Sequence, residues 1–312
     1  MENQTTGLTR RSFLSGAALA GAGLAAFGLA GCSSANTQGG APAAESAAAK
    51  PVILVVSFGT SYNTSRHITI GAIESDIREH YPDYDVRRAF TADTIIDILK
   101  EREGIEIDNV AAALDRVVAD GAAELIVQPT HLMPGYEYTD LADALEEYKD
   151  KIATISLGEP LLASDDDYTA VANAIAEDMA RYDDGSTAIV LMGHGTEHEA
   201  NSTYDTMQKK FDELGMTQYF VGTVEAAPTC ADVIAAAKEA GYAKAVLRPL
   251  MVVAGDHANN DMADTEDPES WASQFAAAGF EVECCLEGLG QVTAIDDIYV
   301  EHVADAIAAA GE

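Results

Sequence analysis

His194, Glu225 and His257 are the residues of this sequence whose types and positions best fit metal chemistry. His194 stands between two glycines after an apolar run, Glu225 closes the apolar run that begins at residue 220, and His257 lies among polar neighbours that could orient its ring. Imidazoles and carboxylates bind divalent transition metals, and a carboxylate that ends an apolar strand is costly unless it is paired, protonated or metal-bound. The structural alternatives are a turn histidine at 194, a helix N-cap at 225 and a capping segment around 257.

Hydroxyl groups stand at the end of the first predicted strand and just beyond it, on Ser57, Thr60 and Ser61. The segment is too short for a phosphate-binding loop and lacks its glycine pattern. We therefore expect these three residues to bind substrate by donating hydrogen bonds to a carboxylated ligand. His131 follows the third predicted strand, and its apolar setting fits a core histidine as well as it fits a ligand.

Eight short apolar runs, separated by amphipathic helical patterns, predict the elements that must position these residues. Continuous apolar strands between helices indicate parallel sheets that are covered on both faces, which is the doubly wound α/β class. Ligands of such sheets bind beyond the carboxyl ends of the strands, where the candidate residues fall. We expect two sheets of about four strands each, from residues 52–58, 85–90, 124–128, 152–157, 188–192, 219–224, 244–250 and 282–286.

An internal repeat indicates that the folded part is duplicated. Residues 53–60 resemble residues 188–196, and residues 128–137 align without a gap with residues 248–257. The repeat predicts two similar α/β lobes that face a cleft, one from residues 51–165 and one from residues 166–312. Glu137 is the repeat partner of His257, so the cleft would hold a carboxylate opposite an imidazole. The alternative for Glu137 is a solvated glutamate in the first turn of a helix, which the helix dipole favours.

The charge balance excludes one class of partner. Lys and Arg number 18 against 52 Asp and Glu, for a net charge of −34. Because nucleic-acid binding needs cations that neutralise phosphates, we expect no nucleic-acid partner. Strong negative charge attracts cations, which suits a metal-handling protein and equally suits any exported one.

The first fifty residues have the pattern of a targeting signal followed by a flexible tether. Arg10 and Arg11 precede an Ala/Gly-rich apolar stretch that ends in small residues before Cys32. This pattern resembles a Tat signal with a lipoprotein processing box, whereas an uncleaved membrane anchor is the alternative. We expect a signal over residues 1–31, lipidation of Cys32, a flexible tether over residues 32–50, and attachment to the extracytoplasmic face of a membrane.

Residues 52–309 resemble the anaerobic-type sirohydrochlorin cobaltochelatases, of the class II chelatase group that includes ferrochelatase. The resemblance is carried by VVSFGTSY at 55–62, RAFT at 88–91, MGHG at 192–195, GTVE at 222–225 and PLMVVAGDHANNDM at 249–262. It implies a metal chelatase that inserts Co²⁺ into sirohydrochlorin, on the anaerobic route to cobalamin. It also implies that His194, Glu225 and His257 hold the metal and that Glu137 belongs to the active site.

In that reaction two pyrrole N–H protons leave the tetrapyrrole and Co²⁺ takes their place. An imidazole near its ordinary pKa can accept a proton while a second one ligates the metal. We expect His194 to be the base and His257 mainly a ligand, although the two roles could be exchanged. Cobalt, iron, nickel and zinc all accept these ligands, so the donor set does not select the metal.

The export signal leaves a second function open. An extracytoplasmic lipoprotein that binds a metal or a tetrapyrrole and passes it on without chemistry would use the same cleft. The resemblance further implies that some exported members associate with heme and form homo-oligomers. We cannot assign a heme ligand from this sequence.

Overall fold

The computed structural model describes residues 50–311. The predicted signal, Cys32 and the tether up to residue 49 lie outside these residues, as does Glu312. Within the described part of the chain, no helix is long and apolar enough to cross a membrane.

Strands and helices alternate along the described chain. The strands are β1 (Val52–Ser57), β2 (Asp85–Phe90), β3 (Glu124–Pro129), β4 (Thr154–Leu157), β5 (Thr187–Gly193), β6 (Tyr219–Thr223), β7 (Lys244–Pro249) and β8 (Glu281–Cys284). The α-helices are α1 (Asn63–Ile68), α2 (Ile70–His80), α3 (Asp93–Glu103), α4 (Val110–Ala119), α5 (Tyr136–Glu146), α6 (Asp165–Asp178), α7 (Ser202–Glu213), α8 (Cys230–Glu239), α9 (Trp271–Ala277) and α10 (Thr293–Ala310).

The strands form two parallel sheets of four strands each, in the orders β2-β1-β3-β4 and β6-β5-β7-β8. Every residue of the central strands β1 and β5 is buried, as expected for strands that helices cover on both faces. The doubly wound α/β class and the duplication predicted from the sequence are confirmed. The strand ends differ from the predicted ones by one or two residues; for example, Ile152 lies before β4, where its amide donates to the carbonyl of Tyr148.

The backbone beyond the strands repeats the duplication. After β3 and β4, the amide of Leu161 donates to the carbonyl of His131 at 2.9 Å. After β7 and β8, the amide of Leu289 donates to the carbonyl of Met251, also at 2.9 Å. The two halves therefore share the connections between strand ends, and equivalent positions at the two sheets can be compared directly.

The two sheets share one buried core. Ile53 of the first sheet and Ile189 of the second belong to the same cluster of buried apolar residues. The C-terminal helix α10 contributes to this sharing, because it packs against α2, β3 and β4 of the first half. The hydroxyl of Tyr299 on α10 donates to the carbonyl of Thr130 at 3.0 Å. The boundary between the lobes at residue 165 stays a prediction. The sequence analysis did not predict that α10 packs over the first sheet.

Asp296 is a buried carboxyl group between α10 and α2. It is 3% exposed, and its Oδ1 has no hydrogen-bond partner among the described residues. Burial, with the nearby charges of Asp76 and Asp297, raises the pKa of Asp296 to about 8. The carboxyl group therefore keeps its proton at neutral pH in the folded protein.

Replacement of Asp296 by Asn should stabilise the protein in a pH-dependent way. In the unfolded chain the pKa of Asp296 is near 3.8. The folded state therefore binds more protons, and wild-type stability falls as the pH rises toward 8. The stability gain of Asp296→Asn should therefore grow by about 3 to 4 kcal/mol between about pH 5 and about pH 8. Urea unfolding at both pH values measures it, and Glu301→Gln, an exposed acidic residue on the same helix, is the matched control. A gain that is equal at both pH values would contradict the assignment.

Candidate metal centre

Three of the predicted site residues meet at the carboxyl ends of the second sheet. One ligand atom from each of His194, Glu225 and His257 lies within 4.8 Å of the others. The rings of His194 and His257 are nearly perpendicular, with centroids 4.5 Å apart. Nitrogen and oxygen ligands of one divalent ion, each at about 2.1 Å from it, lie about 3 to 4 Å apart, so a small adjustment suffices to bind an ion.

The backbone holds two of these ligands next to each other. His194 follows β5 and Glu225 follows β6, and the amide of Glu225 donates to the carbonyl of His194 at 2.8 Å. Glycine is required on both sides of His194. A Cβ at Gly193 would lie 2.1 Å from the ring of Tyr204, and Gly195 has a φ of +86° with Ala226 close behind it.

Each imidazole is oriented through its Nδ1 atom. Nδ1 of His194 lies 2.7 Å from the carbonyl oxygen of Gly195, and Nδ1 of His257 lies 2.6 Å from a carboxylate oxygen of Asp261. Because both partners are acceptors, Nδ1 carries the hydrogen in each ring and Nε2 is left to bind a metal. Asp261 reaches His257 from one turn of π-helix, residues Ala258–Met262.

The centre is open to solvent on one side. His194 and Glu225 are exposed, whereas His257 is half-buried. With three protein ligands and an exposed face, the cluster leaves coordination positions for a second molecule. This openness distinguishes it from a closed structural metal site.

Tyr204 on α7 supports the turn that carries His194, and the sequence analysis did not single it out. Its hydroxyl oxygen accepts a hydrogen bond from the amide of Gly195 at 3.3 Å. Burial raises the pKa of Tyr204, and the negative charge of Glu137 adds to this effect. The hydroxyl group is therefore neutral at physiological pH. In a sequence, a buried aromatic residue on a helix looks like any other core residue. No sequence signal therefore distinguishes Tyr204.

Glu137 lies in the first turn of α5, outside the cluster of three ligands, and is exposed. Its charge acts on Tyr204, which places it near the turn of His194. Beside it, the ring of Tyr136 packs edge-on against the ring of His198, with centroids 4.7 Å apart. The connections after β3 and β5 are therefore in contact. The assignment of Glu137 to the active site stays a prediction.

His131 has a buried ring and contributes no ligand to the cluster of His194, Glu225 and His257. Both ring nitrogens are buried without a hydrogen-bond partner among the described residues, and His131 is not part of the metal cluster. Burial lowers the pKa of His131 to about 4. The ring is therefore neutral at physiological pH.

The three predicted substrate-binding hydroxyls differ in exposure. Ser57 is 1% exposed and its hydroxyl oxygen accepts a hydrogen bond from the hydroxyl of Thr130 at 2.8 Å. Thr60 is 4% exposed and its hydroxyl oxygen accepts from the amide of Tyr62. Ser61 lines a cavity. The substrate-binding role of these three residues stays a prediction, and Ser61 is the most accessible of them.

The duplicated fold shows what the first half has in place of a metal centre. The amide of Ala92 donates to the carbonyl of Phe58 at 3.2 Å, as that of Glu225 donates to His194. Phe58 and Ala92 therefore occupy the positions of His194 and Glu225, two of the candidate ligands. Glu137, at the position of His257, keeps a polar group. Among the described residues, the set of three candidate ligands lies in the second half.

Comparison with known proteins identifies the family. The family model described as cobalt chelatase (CbiK) matches residues 51–308. The chain belongs to the cobalt chelatase family. The sirohydrochlorin cobaltochelatase of Salmonella typhimurium is 37% identical over 261 residues, which cover 83% of this chain and 97% of that protein. The sirohydrochlorin cobaltochelatase CbiKC of Nitratidesulfovibrio vulgaris is 31% identical, over 83% of this chain and 92% of that protein.

Solved structures show the same fold at low sequence identity. SirB from Bacillus subtilis with Fe³⁺ has a TM-score of 0.59 at 14% identity and covers 84% of this chain and 98% of that chain. The sirohydrochlorin chelatase SirB from Bacillus subtilis subspecies spizizenii in complex with cobalt has a TM-score of 0.57 at 14% identity, over 84% and 98% of the two chains. The predicted class of protein, a metal chelatase enzyme, is confirmed by the family.

Removal of the Asp261 carboxylate should weaken metal binding without removing a ligand. Asp261→Ala leaves Nδ1 of His257 without its acceptor, and loss of such an orienting partner typically costs about 10- to 100-fold in metal affinity. Calorimetric titration with Co²⁺ measures the change. Glu266→Ala, an exposed acidic residue on the same connection, should bind Co²⁺ like wild type. Equal affinities of wild type and Asp261→Ala would show that Asp261 does not position His257.

Proposed function

We propose that this cobalt chelatase is a sirohydrochlorin cobaltochelatase, which inserts Co²⁺ into sirohydrochlorin for cobalamin synthesis. The observation that carries the proposal is the open cluster of His194, Glu225 and His257, whose imidazoles keep Nε2 available. Relatives named sirohydrochlorin cobaltochelatase, at 37% and 31% identity, support both the tetrapyrrole and the metal.

The reaction exchanges two pyrrole N–H protons for one Co²⁺ ion and releases both protons. The different partners of the two histidines support different roles. His257 is fixed by the carboxylate of Asp261, which strengthens its ring as a ligand. His194 is exposed and its Nδ1 meets only a neutral backbone carbonyl, so its ring is the better candidate for the base.

Glu225 and Glu137 supply negative charge from the two halves of the duplicated fold. Glu225 lies with the metal ligands, where its charge helps to attract and hold Co²⁺. Glu137 lies on the connection after β3, in the other half of the duplicated fold, and can take up a proton that leaves the macrocycle. Exposed ligands and an open face suit a metal that must be handed on, because uniformly tight binding would slow its transfer.

The proposed location is the extracytoplasmic face of a membrane. The support is the sequence alone: twin arginines at 10 and 11, and small residues before Cys32. We propose export by the Tat route, lipidation of Cys32 and a tether over residues 32–50. A carrier of metal or tetrapyrrole would suit the same location, and the first experiment below separates it from a chelatase.

Replacement of His194 should abolish metal insertion. The purified protein is mixed with sirohydrochlorin and Co²⁺ without oxygen, and the absorption of the metallated tetrapyrrole is followed. His194→Ala should lower the rate constant by at least about 100-fold, the usual contribution of a general base. His80→Ala, an exposed histidine on α2, is the matched control and should react like wild type.

The outcomes distinguish enzyme from carrier. Rapid insertion by wild type and His80→Ala, with loss in His194→Ala, supports the chelatase. If all three match the uncatalysed rate while wild type still binds Co²⁺ or sirohydrochlorin, the protein is a carrier.

Replacement of Cys32 should release the protein from the membrane. Because lipidation requires the thiol, Cys32→Ser should lose incorporation of a labelled fatty acid and move to the soluble fraction when expressed in a lipoprotein-processing bacterium. Cys230→Ser, a buried thiol of the folded part, should remain labelled and membrane-bound. Labelling of Cys32→Ser would contradict the lipid anchor.

A further inference from the structure

A cavity of about 600 Å³ is lined by residues from both halves of the fold. One wall comes from the connection after β1 and from α1, including Ser61 and Ile68. The other wall includes Asp256 and Asn259, which flank the metal ligand His257 in the chain. Its volume is within the range of pockets that bury a small organic molecule.

Apolar groups on both walls remain exposed. Ile68 is 40% exposed and Leu286 is 43% exposed, and both line the cavity. Two aliphatic side chains that line one cavity from two halves of the fold offer an apolar surface to a ligand.

Arg102, at the end of α3, brings a cation to this cavity. Its Nη2 donates to the carbonyl of Ser61, to the side-chain oxygen of Asn63 and to Glu103, and its Nε also donates to Glu103. Nη1 has no hydrogen-bond partner within residues 50–311, and the side chain is 49% exposed. The guanidinium group is therefore held in place with two N–H donors free.

A second guanidinium prevents Glu103 from cancelling this charge. Arg66, which is 8% exposed, lies 3.5 Å from the second carboxylate oxygen of Glu103 and donates to the carbonyl of Thr60. Two guanidinium groups share one carboxylate, so the group of Arg66, Arg102 and Glu103 carries a net charge of +1. This local positive charge contrasts with the net charge of −34 on the whole chain.

Asp256 is the carboxylate that also lines the cavity. The hydroxyl of Tyr62 donates to its Oδ1 at 3.4 Å, and the side-chain amide of Asn260 donates to the same oxygen at 2.8 Å. These two donors reduce its repulsion of an anion. The cavity therefore combines an apolar surface, a fixed guanidinium group and a carboxylate that neutral donors satisfy.

We propose that Arg102 binds a peripheral carboxylate of the tetrapyrrole, with the macrocycle against Ile68 and Leu286. The inference rests on the proposed function and adds a specificity-determining residue to it. An arginine pairs with a carboxylate through parallel N–H bonds, which fixes orientation as well as affinity. The side chains of sirohydrochlorin are acetates and propionates, so they supply such a group. Arg102 selects tetrapyrroles that keep their peripheral carboxylates.

The test measures binding and turnover separately. Binding of uroporphyrin, a stable tetrapyrrole that also carries acetates and propionates, is followed by fluorescence with wild type, Arg102→Gln and Arg102→Lys. Arg102→Gln should weaken binding by about tenfold, the usual effect of losing a charged hydrogen bond. Arg102→Lys should recover part of it. With sirohydrochlorin and Co²⁺, Arg102→Gln should raise KM by a similar factor and leave kcat unchanged.

Arg116→Gln is the matched control, because Arg116 is 68% exposed on α4, is also ion-paired and does not line the cavity. Its binding and KM should equal those of wild type. Uroporphyrin binding that is unchanged in Arg102→Gln, or that falls equally in Arg116→Gln, overturns the inference. Weaker binding by Arg102→Gln alone supports it, even if wild type inserts no metal and the proposed reaction fails.

Discussion

The close approach of the backbone around His194 is the constraint on which the metal centre depends. Gly193 leaves no room for a Cβ against Tyr204, and Gly195 leaves none against the backbone of Ala226. Because Gly195 lets the chain after β5 lie against the chain after β6, the carbonyl of His194 meets the amide of Glu225. Two ligands then project from neighbouring points of rigid backbone, and His257 needs only to be aimed at them. A side chain at either glycine would separate the ligands before it disturbed the rest of the sheet.

The two halves share one fold because of duplication, and they differ at the strand ends because a few residues there have diverged. Both halves have the same strand order and the same hydrogen bonds beyond the strand ends. At the ligand positions the first half carries Phe58 and Ala92, and Phe58 is 51% exposed. An exposed aromatic ring suits contact with a macrocycle, whereas two histidines and a glutamate suit an ion. Divergence at three equivalent positions thus gives the second half the candidate metal ligands and the first half an exposed aromatic ring.

The sequence predicts most of the fold and the metal cluster because both follow from local pattern. Each strand is an apolar run between amphipathic helices, and parallel strands bring their following residues to one edge. Packing between distant elements is harder to predict. The pattern of α10 shows that the helix is buried but not that it covers the first sheet. Likewise, Asp261 is one of several polar residues near His257, and only the π-helical turn shows that it is the one that reaches Nδ1.

The net charge of −34 helps one substrate of the proposed reaction and opposes the other. Divalent cations concentrate near an acidic surface, so an exposed cluster needs no further charged groups to attract Co²⁺. A tetrapyrrole with carboxylates at its periphery is repelled by the same surface, and contact with apolar residues such as Leu286 must overcome that repulsion. A fixed cation near the cluster reduces the repulsion where the macrocycle must approach. Because Arg66 and Arg102 share the single carboxylate of Glu103, one positive charge remains there while the surrounding surface stays acidic.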